Sequence, residues 1–151
     1  MRDPDLVISA DTIIVTATGT ILEKPRSAAD HLMMLKALRD QVSHRVFTAV
    51  TVLAPREDAR HPGYNCETIC EETKVVFDAT MTDEFLEAYV KTREGADKAG
   101  GYGIQGMGAL LVEKIEGDWG NVVGLPLKAT LACITRVVMD QDGDDFSEED
   151  G

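Results

Sequence analysis

Arg45-Val46-Phe47-Thr48-Ala49-Val50-Thr51-Val52-Leu53-Ala54 alternates along its whole length. In an extended chain Val46, Thr48, Val50 and Val52 fall on one side and Phe47, Ala49, Thr51 and Leu53 on the other. Both sets are apolar or threonine, which predicts a central strand. Moving toward the N terminus, Ser27 reads as a helix N-cap with Asp30 as its capping-box partner, and His31, Met34, Leu35 and Leu38 recur at helical spacing. Before that, Leu6 to Ala17 is rich in Val, Ile and Thr and predicts a strand, Ala17-Thr18-Gly19-Thr20 a turn, and Ile21-Leu22 a short return strand stopped at Pro25. Moving toward the C terminus, Pro62-Gly63 signals a turn and Glu67 to Phe77 a second long strand. Thr82 caps a helix with Phe85, Leu86, Tyr89 and Val90 on one face, ended at Gly95. Ala109 to Ile115 reads as a strand, Trp119 to Gly124 as an extended piece, and Pro126 as the start of a helix to about Met139. Strands and helices alternate, with two consecutive strand pairs, so the expected class is an α/β or α+β domain with a mixed sheet.

The 151 residues fit one domain, here taken as residues 1–139, followed by an acidic, disordered tail over 140–151. That tail holds seven acids and no base; removing it from the net charge of −12 leaves −5 for the body. Such a balance argues against a nucleic-acid polymer as partner, because a polyanion needs a basic face. No apolar run reaches the length of a membrane span, and no signal peptide precedes Leu6, so no membrane partner and a cytoplasmic location are expected. Cys66, Cys70 and Cys133 lack the spacing of a zinc site or a disulfide framework and read as packed, reduced thiols.

Several patterns fail on context. Gly101-Tyr102-Gly103-Ile104-Gln105-Gly106 spells a dinucleotide fingerprint, but a helix precedes it where a strand is needed. Asp140, Asp142 and Asp144 alternate like calcium ligands, yet Asp145 stands where the turn needs glycine and Gly151 at the twelfth position. His31, His44 and His61 fall in different elements. Three groups remain. Asp11, in Ser9-Ala10-Asp11-Thr12, is an acid inside a β-forming run, costly there unless paired, hydrogen-bonded or metal-bound. Lys24 sits beside the rigid Pro25. Asp97 to Gly106 is a glycine-rich loop that carries one lysine, Lys98, and one amide, Gln105. A turn aspartate, a surface lysine and a plain glycine loop compete with these functional readings, and composition leaves the choice open.

Taken together, these stretches resemble the Maf family of nucleotide pyrophosphatases. The matching pieces are Ser9-Ala10-Asp11-Thr12-Ile13-Ile14-Val15, Ile21-Leu22-Glu23-Lys24-Pro25, the Asp97 to Gly106 run, and Gly117-Asp118 with Asn121-Val122-Val123-Gly124-Leu125-Pro126-Leu127. They fall in family order and span nearly all of Leu6 to Val138. The wording around Glu71-Glu72-Thr73-Lys74-Val75 is similar to eukaryotic members, both fungal and those fused to a methyltransferase-like domain. The resemblance implies a two-lobed, inosine-triphosphatase-like fold with a central cleft, often dimeric. It implies hydrolysis of dTTP, UTP or modified pyrimidine triphosphates to the monophosphate and pyrophosphate, with Mg2+ or Mn2+. In that scheme Asp11 is catalytic and a metal ligand, Lys24 and Lys98 bind phosphate, and Thr12 and Gln105 bind the base. Family members begin with a strand and an S-x-S-P-R-R-type loop leading into a helix. Nothing before Asp11 matches it, so the chain is expected to be an N-terminally shortened form lacking the first strand and helix. The alternative expectation is a non-catalytic nucleotide-binding or dimerisation module.

Overall fold

The alternating stretch is indeed a strand at the centre of the sheet. In the computed structural model, which describes residues 2–56 and 63–139, strand β3 runs Ser43–Pro55. It pairs along its length with β1 (Val7–Thr16) on one edge and β4 (Tyr64–Phe77) on the other. The short β2 (Ile21–Leu22) adds beyond β1 and β5 (Val112–Glu116) beyond β4, giving the order β2-β1-β3-β4-β5. Every pairing is antiparallel, which corrects the mixed sheet expected from sequence. The physical reason lies in one connection. Helix α1 (Ala28–Asp40) carries the chain from β2 to β3, so those two strands do run the same way, but β1 lies between them and pairs antiparallel with both.

Helix α1 starts at Ser27, whose hydroxyl accepts the Asp30 N–H at 3.0 Å. Asp30 does not close a capping box; its carboxylate accepts the N–H of Arg26, one residue further out. Helix α2 (Asp83–Lys91) starts at Thr82, which accepts from Phe85 N–H. It buries Leu86, Tyr89 and Val90, while Phe85 stays 38% exposed. It ends at Thr92 rather than at Gly95, and Arg93 takes the left-handed backbone turn.

Two further expectations change. Of the predicted strand over 109–115, the first part is a 3-10 turn, Met107–Leu111, and only Val112 onward is β. Glu94 draws this turn tight by accepting the N–H groups of Met107 and Gly108. The predicted extended piece over 119–124 is a helix, α3 (Trp119–Val123). Asp118 caps it by accepting Gly120 N–H at 2.7 Å, and Gly124 ends it with positive φ. Helix α4 (Leu127–Met139) follows Pro126, whose carbonyl accepts from Thr130 N–H. The tail over 140–151, the residues 57–62 that include His61 and Pro62, and Met1 lie outside the described residues.

One face of the sheet is buried. His44, Val46, Thr48, Val50, Val52 and Ala54 of β3 lie on it, each at most 3% exposed. Its core is split in two. Ile14, Val46, Val75 and Phe77 pack with Leu35, Leu38, Leu86 and Tyr102. Val50, Val52 and Ala54 pack with Cys133 and Val137 of α4. Between the two clusters the same face carries threonines, Thr48 of β3 facing Thr12 of β1. The opposite face, with Phe47, Ala49, Thr51 and Leu53, is only half-buried or exposed. Cys66 and Cys70 project there, so of the three cysteines expected to be packed only Cys133 is.

Candidate active site

β1 sets up the site because only its end is double-sided. It pairs with β2 at Ile14 and Val15 alone, so Val7 to Ile13 keep a free edge among the described residues. A cavity of about 530 Å³ runs along that edge. Asp11, Thr12, Lys24, Lys98 and Gln105, the five candidate residues, all line it. They come from β1, the segment after β2, and the glycine loop, which are distant in sequence and meet only through the fold.

The loop is held from beneath by two buried histidines. His31 of α1 donates from Nε2 to Gly101 O at 2.5 Å. His44 of β3 shares a 2.6 Å hydrogen bond between Nε2 and the Tyr102 hydroxyl, and packs edge-on against Phe77 and Tyr102. Burial pushes the His44 pKa down to about 4, since nothing nearby stabilises a charged ring. Burial likewise raises the Tyr102 hydroxyl above its ordinary range. The backbone must come very close to these rings. At Gly101, with φ of +79°, a Cβ would sit 2.6 Å from His31 Cδ2, so only glycine fits. Hydrogen bond by hydrogen bond, the loop is then closed from the side by Glu94. Its carboxylate accepts from Gly108 N–H (2.9 Å), Met107 N–H (3.0 Å) and the Tyr89 hydroxyl (3.0 Å), and Tyr89 in turn accepts Gly103 N–H. The Gly108 N–H foremost, helped by Met107, Tyr89 and Lys98, holds the Glu94 carboxyl below the ordinary carboxylate range.

The candidate side chains differ in how they sit. Asp11 is exposed and has no hydrogen-bond or ion-pair partner among the described residues. The cost foreseen for an acid in this run therefore does not arise: the edge leaves its charge in water. Lys24 is exposed, and the carbonyl of its neighbour Glu23 accepts Gly100 N–H, joining the two walls of the cleft. Lys98 is 44% exposed and lies 3.5 Å from Asp97. Gln105 is exposed at the loop tip. Thr12 is half-buried, its hydroxyl 2.9 Å from that of Thr48. The glycine fingerprint over 101–106 lies between two 3-10 turns, not between a strand and a helix, so it is no dinucleotide site.

Among the described residues, no group of three or more His, Cys, Asp or Glu side chains could hold a metal ion. Glu94 is taken up by backbone N–H groups. Asp97, which also lines the cavity, lies 3.5 Å from Lys98; the exposed Asp11 carboxylate fits an ion that brings phosphate oxygens and water as its other ligands, as Mg2+ does. Sequence reasoning missed Glu94, Tyr89 and the histidine supports, because a residue that holds a loop carries no motif of its own. No helix among the described residues is long and apolar enough to cross a membrane.

An antiparallel sheet with helices packed on one face, and a glycine loop closing a cleft at its edge, is an α/β domain with an open cleft. Within that class the chain belongs to the Maf family: the family model described as Maf-like protein matches residues 1–137. It is 54% identical to a dTTP/UTP pyrophosphatase of Schizosaccharomyces pombe, over 95% of this chain and 59% of that protein. It is 44% identical to a dTTP/UTP pyrophosphatase of Halalkalibacterium halodurans, over 88% of this chain and 64% of the relative. A Pyrococcus furiosus protein of the same name is 46% identical over 86% and 63%. The chain thus spans about three-fifths of the length of these relatives.

Proposed function

We propose that the cleft binds a pyrimidine nucleoside triphosphate and hydrolyses it to the monophosphate and pyrophosphate. The observation that carries this reading is the gathering of Asp11, Lys24, Lys98, Thr12 and Gln105 around one cavity. The names of the relatives, dTTP/UTP pyrophosphatase, supply the substrate class.

In this reading Lys24 and Lys98 stand against the phosphate chain. Charge spreads over the phosphoryl oxygens as the bond to the leaving pyrophosphate breaks, and positioned cations stabilise it. Asp11 has an unpaired carboxylate at the free edge of β1, where it can accept a proton from the water that attacks the α-phosphorus. The same carboxylate is offered as a protein ligand to a divalent ion, Mg2+ or Mn2+, which would neutralise phosphate charge. Thr12 and Gln105 face the base, with Gln105 offering both a donor and an acceptor. The reading also includes a cytoplasmic site of action and a homodimer, neither of which the cleft requires.

The test is pyrophosphate release from UTP and dTTP with magnesium or manganese, by the chain and by Asp11→Asn. Release by the chain, lost at least a hundredfold in the variant, supports the roles given. Turnover that survives Asp11→Asn removes Asp11 from the chemistry. Calorimetric titration with UTP separates binding from turnover. Binding without release would leave a nucleotide-binding module.

A further inference from the structure

Thr12 lines the cleft, but its hydroxyl is also the first member of a buried chain. Its Oγ1 lies 2.9 Å from Thr48 Oγ1, and Thr48 Oγ1 lies 3.2 Å from the backbone carbonyl of Asn121. Asn121 is fully buried, and its amide donates to Val46 O, Glu71 O and Thr73 Oγ1, which pins α3 onto β3 and β4. The Asn121 carbonyl is therefore fixed in place, and a carbonyl only accepts.

The direction of every proton in the chain follows. A threonine hydroxyl has one hydrogen and two lone pairs. Thr48 spends its hydrogen on Asn121 O. The Thr48 oxygen must then be the acceptor in its contact with Thr12, so the Thr12 hydrogen points at Thr48. What Thr12 has left for the cleft is a lone pair.

Resting on the nucleotide reading above, we infer that the Thr12–Thr48–Asn121 chain makes the cleft selective for a base carrying an N–H between two carbonyls, the imide edge of uracil and thymine. Cytosine presents a bare nitrogen at the same ring position and meets Thr12 lone pair to lone pair. Thr48 touches no ligand. It is a positioning residue, setting the polarity of the hydroxyl that does. A site arranged to accept a hydrogen bond rejects the analogue that cannot donate one much more strongly than it rejects a difference of size.

Thr48→Val keeps the shape of this wholly buried side chain and removes its hydroxyl. The Asn121 carbonyl retains a donor in Gly124 N–H, so no buried acceptor is orphaned. Thr12 is then free to turn its hydrogen into the cleft. The experiment is calorimetric binding of the non-hydrolysable α,β-imido analogues of UTP and of CTP, with magnesium, to the full chain, Thr48→Val, Thr48→Ser and Thr12→Val. The full chain should prefer UTP at least a hundredfold. Thr48→Val should cut that preference at least tenfold, mostly by gaining affinity for CTP, and Thr48→Ser should restore it. Thr12→Val, at a half-buried position, should lose UTP affinity without gaining CTP. A gain for the wrong base is something a merely structural defect does not produce. Equal affinity of the full chain for both nucleotides overturns the inference and leaves the proposed function standing. So does an unchanged preference in Thr48→Val, or, if that variant does not fold, equal weakening of both ligands in Thr12→Val. Failure of the full chain to bind UTP overturns the proposed function and this inference with it.

Discussion

Replacing His44 by glutamine should flatten the acid side of the stability profile. His44 is 2% exposed, wedged between Phe77 and Tyr102, and its Nδ1 has no hydrogen-bond partner among the described residues. Burial lowers its pKa from 6.5 to about 4. The native state therefore holds the ring neutral while the unfolded chain protonates it first. Protons favour the unfolded chain between those two values. The ring's full contribution is present above the unfolded pKa and is lost as pH falls toward the folded one. A tenfold difference in proton affinity is worth about 1.4 kcal/mol, so the whole effect approaches roughly 3 kcal/mol. Between about pH 7 and about pH 5 the loss is about 2 kcal/mol, or roughly 4–8 °C in Tm for a domain of this size. Urea unfolding at the two pH values, for the chain and for His44→Gln, reads this directly. Carboxylates titrate in both proteins, so the difference between the two pH-dependences isolates the histidine. The reasoning fails if both proteins lose the same stability on acidification.

Glu94→Ala should free the Met107 and Gly108 amides, seen as at least tenfold faster hydrogen exchange at those two positions, and raise KM for UTP more than it lowers Tm, because the loop rather than the core loosens. Gly101→Ala forces a Cβ onto the His31 ring in a left-handed backbone, and should cost about 2–3 kcal/mol in urea unfolding. Ser27→Ala removes the cap of α1 and should cost about 1 kcal/mol, with Ser27→Thr recovering most of it in the same assay.

What could be read from sequence was what periodicity and caps encode. β3 announced itself because ten residues alternate, and Ser27 and Thr82 cap the helices that follow them. What could not be read depended on neighbours brought from afar. The turn over 107–111 has a strand-like composition, but a carboxylate thirteen residues upstream bends it. Helix α3 contains Gly120 and two valines, poor helix formers, and is held by the Asn121 amide and the Asp118 cap. The strand directions were misjudged because alternation reveals a strand but not its heading. Of the candidate site, five residues in three segments were legible, and the fold brings them to one cavity. Thr48, Asn121 and Glu94 were not, since their task is to hold other groups.

Neighbouring residues of β1 divide the proposed work. By strand alternation Thr12 belongs with the threonine seam, whereas Asp11 sides with Ser9 and Ile13 on the open face. Recognition and chemistry would thus be set one residue apart on a two-residue period. A single inserted or deleted residue between Val7 and Asp11 leaves both letters intact. A slip of the ladder by one place does worse: it turns the carboxylate into the seam and the hydroxyl out to water. Point substitutions in this strand can be graded, but its frame is all-or-none, and evolution can lengthen the loops around the cleft far more freely than it can shift the strand that forms its edge.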